Sequence, residues 1–120
     1  MGEIRTYRDL IVWQKAMGLV TAVYRCAGQF PKSEVYGLIP QLQRCAVSIP
    51  SNIAEGYGRR STGYYRRFLQ ISMGSVFELQ TQLEIARNLD YLDQERFEEL
   101  YGQSREIERM LSSLISKLKP

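Results

Sequence analysis

The chain has no histidine, only two cysteines and a single tryptophan among its 120 residues. The missing histidine removes the commonest general base and the commonest metal ligand. Cys26 and Cys45 are far apart and neither sits in a Cys-x-x-Cys, so neither a zinc site nor a dithiol redox pair is expected. Both fall on apolar helical faces, which predicts buried free thiols and suits the cytoplasm. No apolar run has the length of a membrane span. Tyr7, Arg8 and Asp9 lead into an amphipathic segment where an export signal would have its apolar stretch. No stretch alternates like a strand. Gly56-Tyr57-Gly58 therefore follows a helix and reads as a C-terminal stop, not as a phosphate-binding loop. Together these absences predict no catalysis, no metal and no cofactor.

Four segments do carry helical periodicity. In the first, about 7–27, Leu10, Trp13, Met17, Val20, Tyr24 and Ala27 form one stripe. Gly28 and Phe30-Pro31 end it. The second, about 37–54, repeats Leu38, Leu42, Cys45, Ile49 and Ile53, with Pro40 in its first turn. Ser61 or Thr62 caps the third, which runs to about Asn88 with Ser72, Val76, Leu79, Leu83 and Ala86 aligned. Asp93 caps the fourth, whose Phe97, Leu100, Ser104, Ile107, Leu111, Leu114 and Leu118 make the most regular stripe. Short links between four helices predict a single domain over 1–120, an all-α, antiparallel up-down-up-down four-helix bundle. Extra apolar residues lie off the stripes: Ile11, Val12, Leu19 and Val23 in the first helix, and Ile71, Met73, Phe77 and Ile85 in the third. They are either a partner surface or a wider internal stripe.

The segment Ser48-Ile49-Pro50-Ser51-Asn52-Ile53-Ala54-Glu55-Gly56-Tyr57-Gly58-Arg59-Arg60 breaks the helical rules. Pro50 lacks a backbone donor and frees the carbonyl of Ala46, and Ser48, Ser51 and Asn52 surround the break. A structural role is expected for Ser48, Pro50, Asn52, Glu55 and Gly56. In it, the Asn52 amide and the Glu55 carboxylate tether a kinked helix to a neighbouring backbone or chain. The small group Ser72, Gly74 and Ser75 predicts a close approach of another helix or a bend.

The formal charge is a mild +3, but it is unevenly placed. In an antiparallel bundle, segments 1–15, 55–67 and 109–120 share one end, with ten cations against three anions. Segments 25–38 and 84–99 share the other, with four cations against seven anions. Helix dipoles explain Asp93 and Glu95, and Lys117 and Lys119, but they disfavour Arg66 and Arg67 in the first turns of the third helix. Arg59, Arg60, Arg66 and Arg67, helped by Lys117 and Lys119, are therefore candidate contacts to nucleic-acid phosphates. Tyr64, with Tyr57 and Tyr65, is placed to stack on bases. A solvated, solubilising end is the alternative.

Phe30-Pro31-Lys32, Tyr36-Gly37-Leu38, Gln41-Leu42, Gly74-Ser75, Glu78-Leu79 and the whole Ser48–Arg60 run resemble the 23S rRNA intervening-sequence protein family. So do Asp9-Leu10 and Val12-Trp13. The resemblance implies a four-helix bundle assembled as a homopentamer. It also implies a distant kinship with the accessory proteins of diversity-generating retroelements, which are basic, pentameric, and partner a reverse transcriptase and nucleic acid. Two positions depart from the family pattern. Gly63-Tyr64 stands where an acid often completes a capping box with Ser61, and Pro40 stands where a polar residue is usual. The combined expectation is a cytoplasmic, non-enzymatic homo-oligomer that binds nucleic acid, RNA sooner than DNA. The alternative is an accessory module that docks a protein such as a reverse transcriptase through its charged end.

Overall fold

Four helices make up nearly all of the computed structural model, which describes residues 2–118: α1 (Ile11–Ala27), α2 (Leu38–Gly58), α3 (Thr62–Asn88) and α4 (Gln94–Lys117). Two 3-10 turns, Tyr7–Asp9 and Lys32–Glu34, precede α1 and α2, and no strand occurs among the described residues. Each helix packs on its chain neighbours, and α4 closes back on α1. The result is an antiparallel up-down-up-down bundle, 44 × 28 × 20 Å. The starts of α1 and α3 and the ends of α2 and α4 therefore share one pole.

Capping chemistry sets several boundaries. Thr6 and Asp9 form a capping box on the first 3-10 turn, with Asp9 accepting from the Arg5 and Thr6 amides at 2.9 and 3.1 Å. Ser61 caps α3 by accepting from the Tyr64 amide at 3.4 Å, a long bond that lacks the reciprocal acid. Asp93 accepts from the Arg96 amide at 2.7 Å and starts α4.

The expected stripes of α2, α3 and α4 face the core: Leu42, Cys45, Ile49 and Ile53; Ser72, Val76, Leu79, Leu83 and Ala86; Phe97, Leu100, Ser104, Ile107 and Leu111 are all buried. Helix α1 differs. Its buried face is Val12, Ala16, Leu19, Val23, Cys26 and Ala27, so Ala27 alone of the expected stripe within the helix is buried, whereas Met17 and Tyr24 are exposed and Trp13 and Val20 only half-buried. The off-stripe residues Val12, Leu19 and Val23 are thus core, and the expected stripe lies on the flank beside α2. In α3 the extra residues Ile71, Phe77 and Ile85 are exposed.

Helix α2 passes through Pro50 and ends four residues later than expected, at Gly58. Gly56 is not a stop. It is buried inside the helix, where a Cβ would lie 2.6 Å from the Cβ of Phe68. Within one chain Asn52 and Glu55 make their contacts on and just beyond their own helix. The Asn52 amide donates to its own helix, to the Ser48 carbonyl at 2.8 Å and to Ser48 Oγ at 2.9 Å. Glu55 is exposed and pairs with Arg59. Serines tie α2 to α3 instead: Ser48 and Ser75 hydroxyls meet at 2.8 Å, and the buried Ser72 hydroxyl donates to the Ile49 carbonyl at 2.9 Å. An amide on a long flexible helix turn satisfies the nearest acceptor, whereas a short hydroxyl lets two backbones close up. Gly74 points the other way, into open space.

Both cysteines are buried free thiols. Burial pushes the Cys45 thiol up to about 12, and Cys26 also upward, so neither supplies a thiolate.

At the opposite pole one carboxylate joins three segments. Glu34 Oε1 accepts from the Leu38 amide at 2.9 Å, which caps α2, and Oε2 accepts from the Tyr91 hydroxyl at 2.8 Å. The Leu38 amide first, and the Tyr91 hydroxyl second, hold the Glu34 carboxyl below its ordinary value of 4.5. A depressed folded-state value stabilises fully above the unfolded pKa and is lost as pH falls through the folded one. Glu34→Gln is expected to lower the Tm at pH 7. Its gap to the wild type should begin to shrink as pH falls below about 4.5 and should close as pH falls through the depressed folded-state value of Glu34. Thermal melts across pH check this, and a gap that widens in acid contradicts it.

Candidate nucleic-acid interface

The candidate cations come from the three segments that meet at the first pole. Arg59 follows α2 as its C-cap and lies over the Phe68 ring at 5.1 Å, which links the end of α2 to the start of α3. Its pairing with Glu55 is long, 3.8 Å, and solvent-exposed, so it neutralises little. Arg60 is exposed and adopts a left-handed backbone, φ 58°. That conformation is natural for glycine and strained for a long side chain.

Arg66 and Arg67 stand in the first turns of α3. Arg66 is half-buried, and its Nε donates to the Ile115 carbonyl at 3.4 Å, so α3 is stitched to the end of α4. Arg67 is exposed. The two arginines line a cleft of about 280 Å³ with Thr62, Gly63, Gln70 and Leu118. The first turn of α3 holds no acidic residue. Free amides and the helix dipole therefore add positive potential where two guanidinium groups already supply it. Thr62, Gly63 and Gln70 escaped sequence reasoning. Their spacing of three and four from Arg66 and Arg67 was the available signal.

Lys117 is exposed at the same pole but on the α1–α4 flank, where it shares a cleft of about 520 Å³ with Arg109, Leu10 and Ile11. The two clefts are separate, so Lys117 extends the basic surface without joining the arginine cleft. Lys119 lies outside the described residues. Among the tyrosines, Tyr64 is 58% exposed. Tyr57 and Tyr65 instead pack edge to face at 5.8 Å and are half-buried. Burial pushes the Tyr65 phenol up. Only Tyr64 of the three presents an open ring face for stacking.

Two of the pole's three acids are engaged locally, and the third, Glu3, is exposed with no ion pair among the described residues. Asp9 caps the Tyr7–Asp9 turn and Glu55 faces Arg59. Lys15 is partly neutralised by Glu106 of α4 at 3.2 Å. Arg5, Arg8, Arg60, Arg66, Arg67, Arg109 and Lys117 make no ion pair among the described residues. At the far pole two of the four cations are ion-paired, Arg87 with Glu84 and Arg96 with Glu99. The described residues hold no group of three or more metal-ligating side chains, and none of their helices is long and apolar enough to cross a membrane.

The bundle has a close structural counterpart. A crystal structure described as a protein of unknown function from the S23 ribosomal protein family, from Bacteroides thetaiotaomicron VPI-5482, superposes with a TM-score of 0.80. The likeness covers 88% of this chain and 98% of that one at 23% identity, which establishes a shared fold. No curated protein sequence matches this chain. The sequence profile described as 23S rRNA-intervening sequence protein matches residues 8–113, which take in α1, α2, α3 and most of α4, with Arg59, Arg60, Arg66 and Arg67. With that coverage, the chain belongs to the 23S rRNA-intervening sequence protein family.

Proposed function

We propose that the protein is a non-enzymatic, oligomeric scaffold that binds nucleic acid, RNA in preference to DNA, through its basic pole. Five copies in the assembly and a cytoplasmic location are part of this reading. The observation that carries it is the arginine cleft: Arg66 and Arg67 flank the open N-terminus of α3 with no carboxylate in that turn. Cations there oppose the helix dipole, so they weaken α3 slightly in isolation. An anionic partner reverses that balance. Phosphates in the cleft would meet guanidinium groups and free amides together, and Tyr64 would offer a base its ring. Arg59 and Arg60 extend the same surface toward α2. In a cyclic assembly all like poles point one way, so the basic surfaces would combine.

Binding of a structured RNA, compared between the wild type and a variant with Arg59, Arg60, Arg66 and Arg67 all changed to Ala, tests the assignment. A large loss in the variant supports it; equal affinities overturn it. A polypeptide that co-purifies while RNA binding is absent would favour protein docking at this pole.

Arg60 gives a sharper single-site prediction. Glycine adopts φ near 60° without strain, so Arg60→Gly should leave stability unchanged or raise it by about 1 kcal/mol. RNA affinity should fall all the same. Melting and binding measured on one preparation check this, and a variant that loses stability but keeps affinity makes Arg60 a structural residue.

A further inference from the structure

The bundle carries two apolar surfaces on opposite edges. Because α1 neighbours α2 and α4, and α3 neighbours the same two, the α1–α2 edge faces away from the α3–α4 edge. On the first edge the displaced α1 stripe and α2 form a groove of about 340 Å³, lined by Trp13, Met17, Val20, Val47, Pro50 and Ser51 among others. Met17 is 42% and Val47 40% exposed. On the second edge Phe77 is 48% exposed and borders two shallow clefts, of about 510 and 410 Å³. Ile85 extends the apolar surface along α3 from there. One edge is a groove between α1 and α2, and the other is an aromatic ridge between hollows.

We propose that these two edges bind each other between copies of the chain, the Phe77 ridge of one seated in the Met17–Val47 groove of the next. Two observations select a second copy as the occupant. The surfaces match in shape, ridge to groove. They also match in height. Ser48 meets Ser75 and Gln41 meets Gln82 across the α2–α3 contact, which puts Val47 level with residues 76 and 77. Copies standing side by side with parallel axes therefore bring ridge and groove together without a shift.

Two different faces joined in this way make a heterologous contact, which closes into a ring when the rotation between copies allows. The inference rests on the oligomeric part of the function proposed above and is independent of RNA binding.

The contact has a distinctive test by sedimentation velocity, without RNA. The wild type should sediment as a multiple of 13.9 kDa. Phe77→Glu spoils the ridge, Val47→Glu spoils the groove, and each variant alone should be monomeric. Each keeps one intact face, so an equimolar mixture should give a heterodimer and nothing larger. A monomeric wild type, a variant that assembles normally, or a mixture that stays monomeric overturns the proposal. Should either variant fail to fold by circular dichroism, oxidation of a Val47→Cys/Phe77→Cys chain decides the matter. The native cysteines are buried. A ladder of cross-linked copies supports the contact, and its absence overturns it. RNA affinity of the Phe77→Glu monomer is read separately, so failure of the interface and failure of the basic pole give different results.

Discussion

Raising salt from about 50 to about 200 mM is expected to weaken RNA binding by about fifty-fold for each protomer that engages through its four arginines. The figure follows from counterion release. Neutralising four phosphates of a single strand gives a slope of about −2.8 in log affinity against log salt, and a fourfold rise in salt then multiplies to about fifty. Two protomers on one strand would square that factor. Changing Arg59, Arg60, Arg66 and Arg67 to Ala should flatten the slope by about the same 2.8 per engaged protomer. The cations chosen matter because they are free to be used. Arg60, Arg66 and Arg67 make no ion pair among the described residues, and Arg59 has only a long, exposed one. A control at the acidic pole, Arg87→Ala, should leave the slope unchanged, since Arg87 is already paired with Glu84 and lies over Phe97. Titration of a labelled RNA at four or five salt concentrations reads all three slopes. If the four-arginine variant keeps the wild-type slope, the phosphates bind elsewhere.

Helices α2 and α4 were legible because each has one apolar stripe, and a single stripe can only face the core; α3 carries extra apolar residues, but its longest stripe, Ser72, Val76, Leu79, Leu83 and Ala86, is the buried one. Helix α1 was not. Its two stripes, through Trp13, Met17, Val20 and Tyr24 and through Val12, Ala16, Leu19 and Val23, are offset by one residue, about 100° around the helix. Both are apolar, so periodicity cannot choose between them. The bundle turned the smaller side chains inward, where Ala16 lets α1 sit close, and left the larger ones on the flank. The meeting of the chain's start, the α2–α3 turn and the end of α4 at one pole was legible because it depends only on topology. Its fine structure was not, because the contacts that shape it join distant segments. Arg66 reaches Ile115, 49 positions away, and the Ser48–Ser75 tie spans 27. Tyr57 and Tyr65 each look free in sequence and turn out to occupy one another.

Gly56 shows how closely the joint of α2 and α3 and the basic pole depend on each other, and it gives the second large effect. An added Cβ would lie 2.6 Å from Phe68 Cβ, 3.2 Å from a Tyr65 ring carbon and 3.3 Å from the Tyr65 carbonyl. Phe68 Cβ is fixed to its backbone, so no rotamer change relieves the clash; the start of α3 must back away from α2. Overpacking of this kind costs about 1–3 kcal/mol. Alanine regains about 1 kcal/mol of helix propensity, leaving a net loss of up to about 2 kcal/mol. For a domain of this size the Tm should drop by up to roughly 10 °C. Gly102→Ala is the matched control. It changes the same atoms in α4, where nothing lies within 4 Å, and should raise the Tm by a few degrees. The functional consequence follows from who the displaced neighbours are. Phe68 carries Arg59 on its ring, Tyr65 packs against Tyr57, and Arg66 lies between them in sequence. Backing α3 away from α2 separates Arg59 and Arg60 from Arg66 and Arg67. RNA affinity of Gly56→Ala should therefore fall even at temperatures where the variant is fully folded. A Gly56→Ala protein that melts at or above the wild-type temperature would show that α2 and α3 do not meet as closely as their backbones indicate.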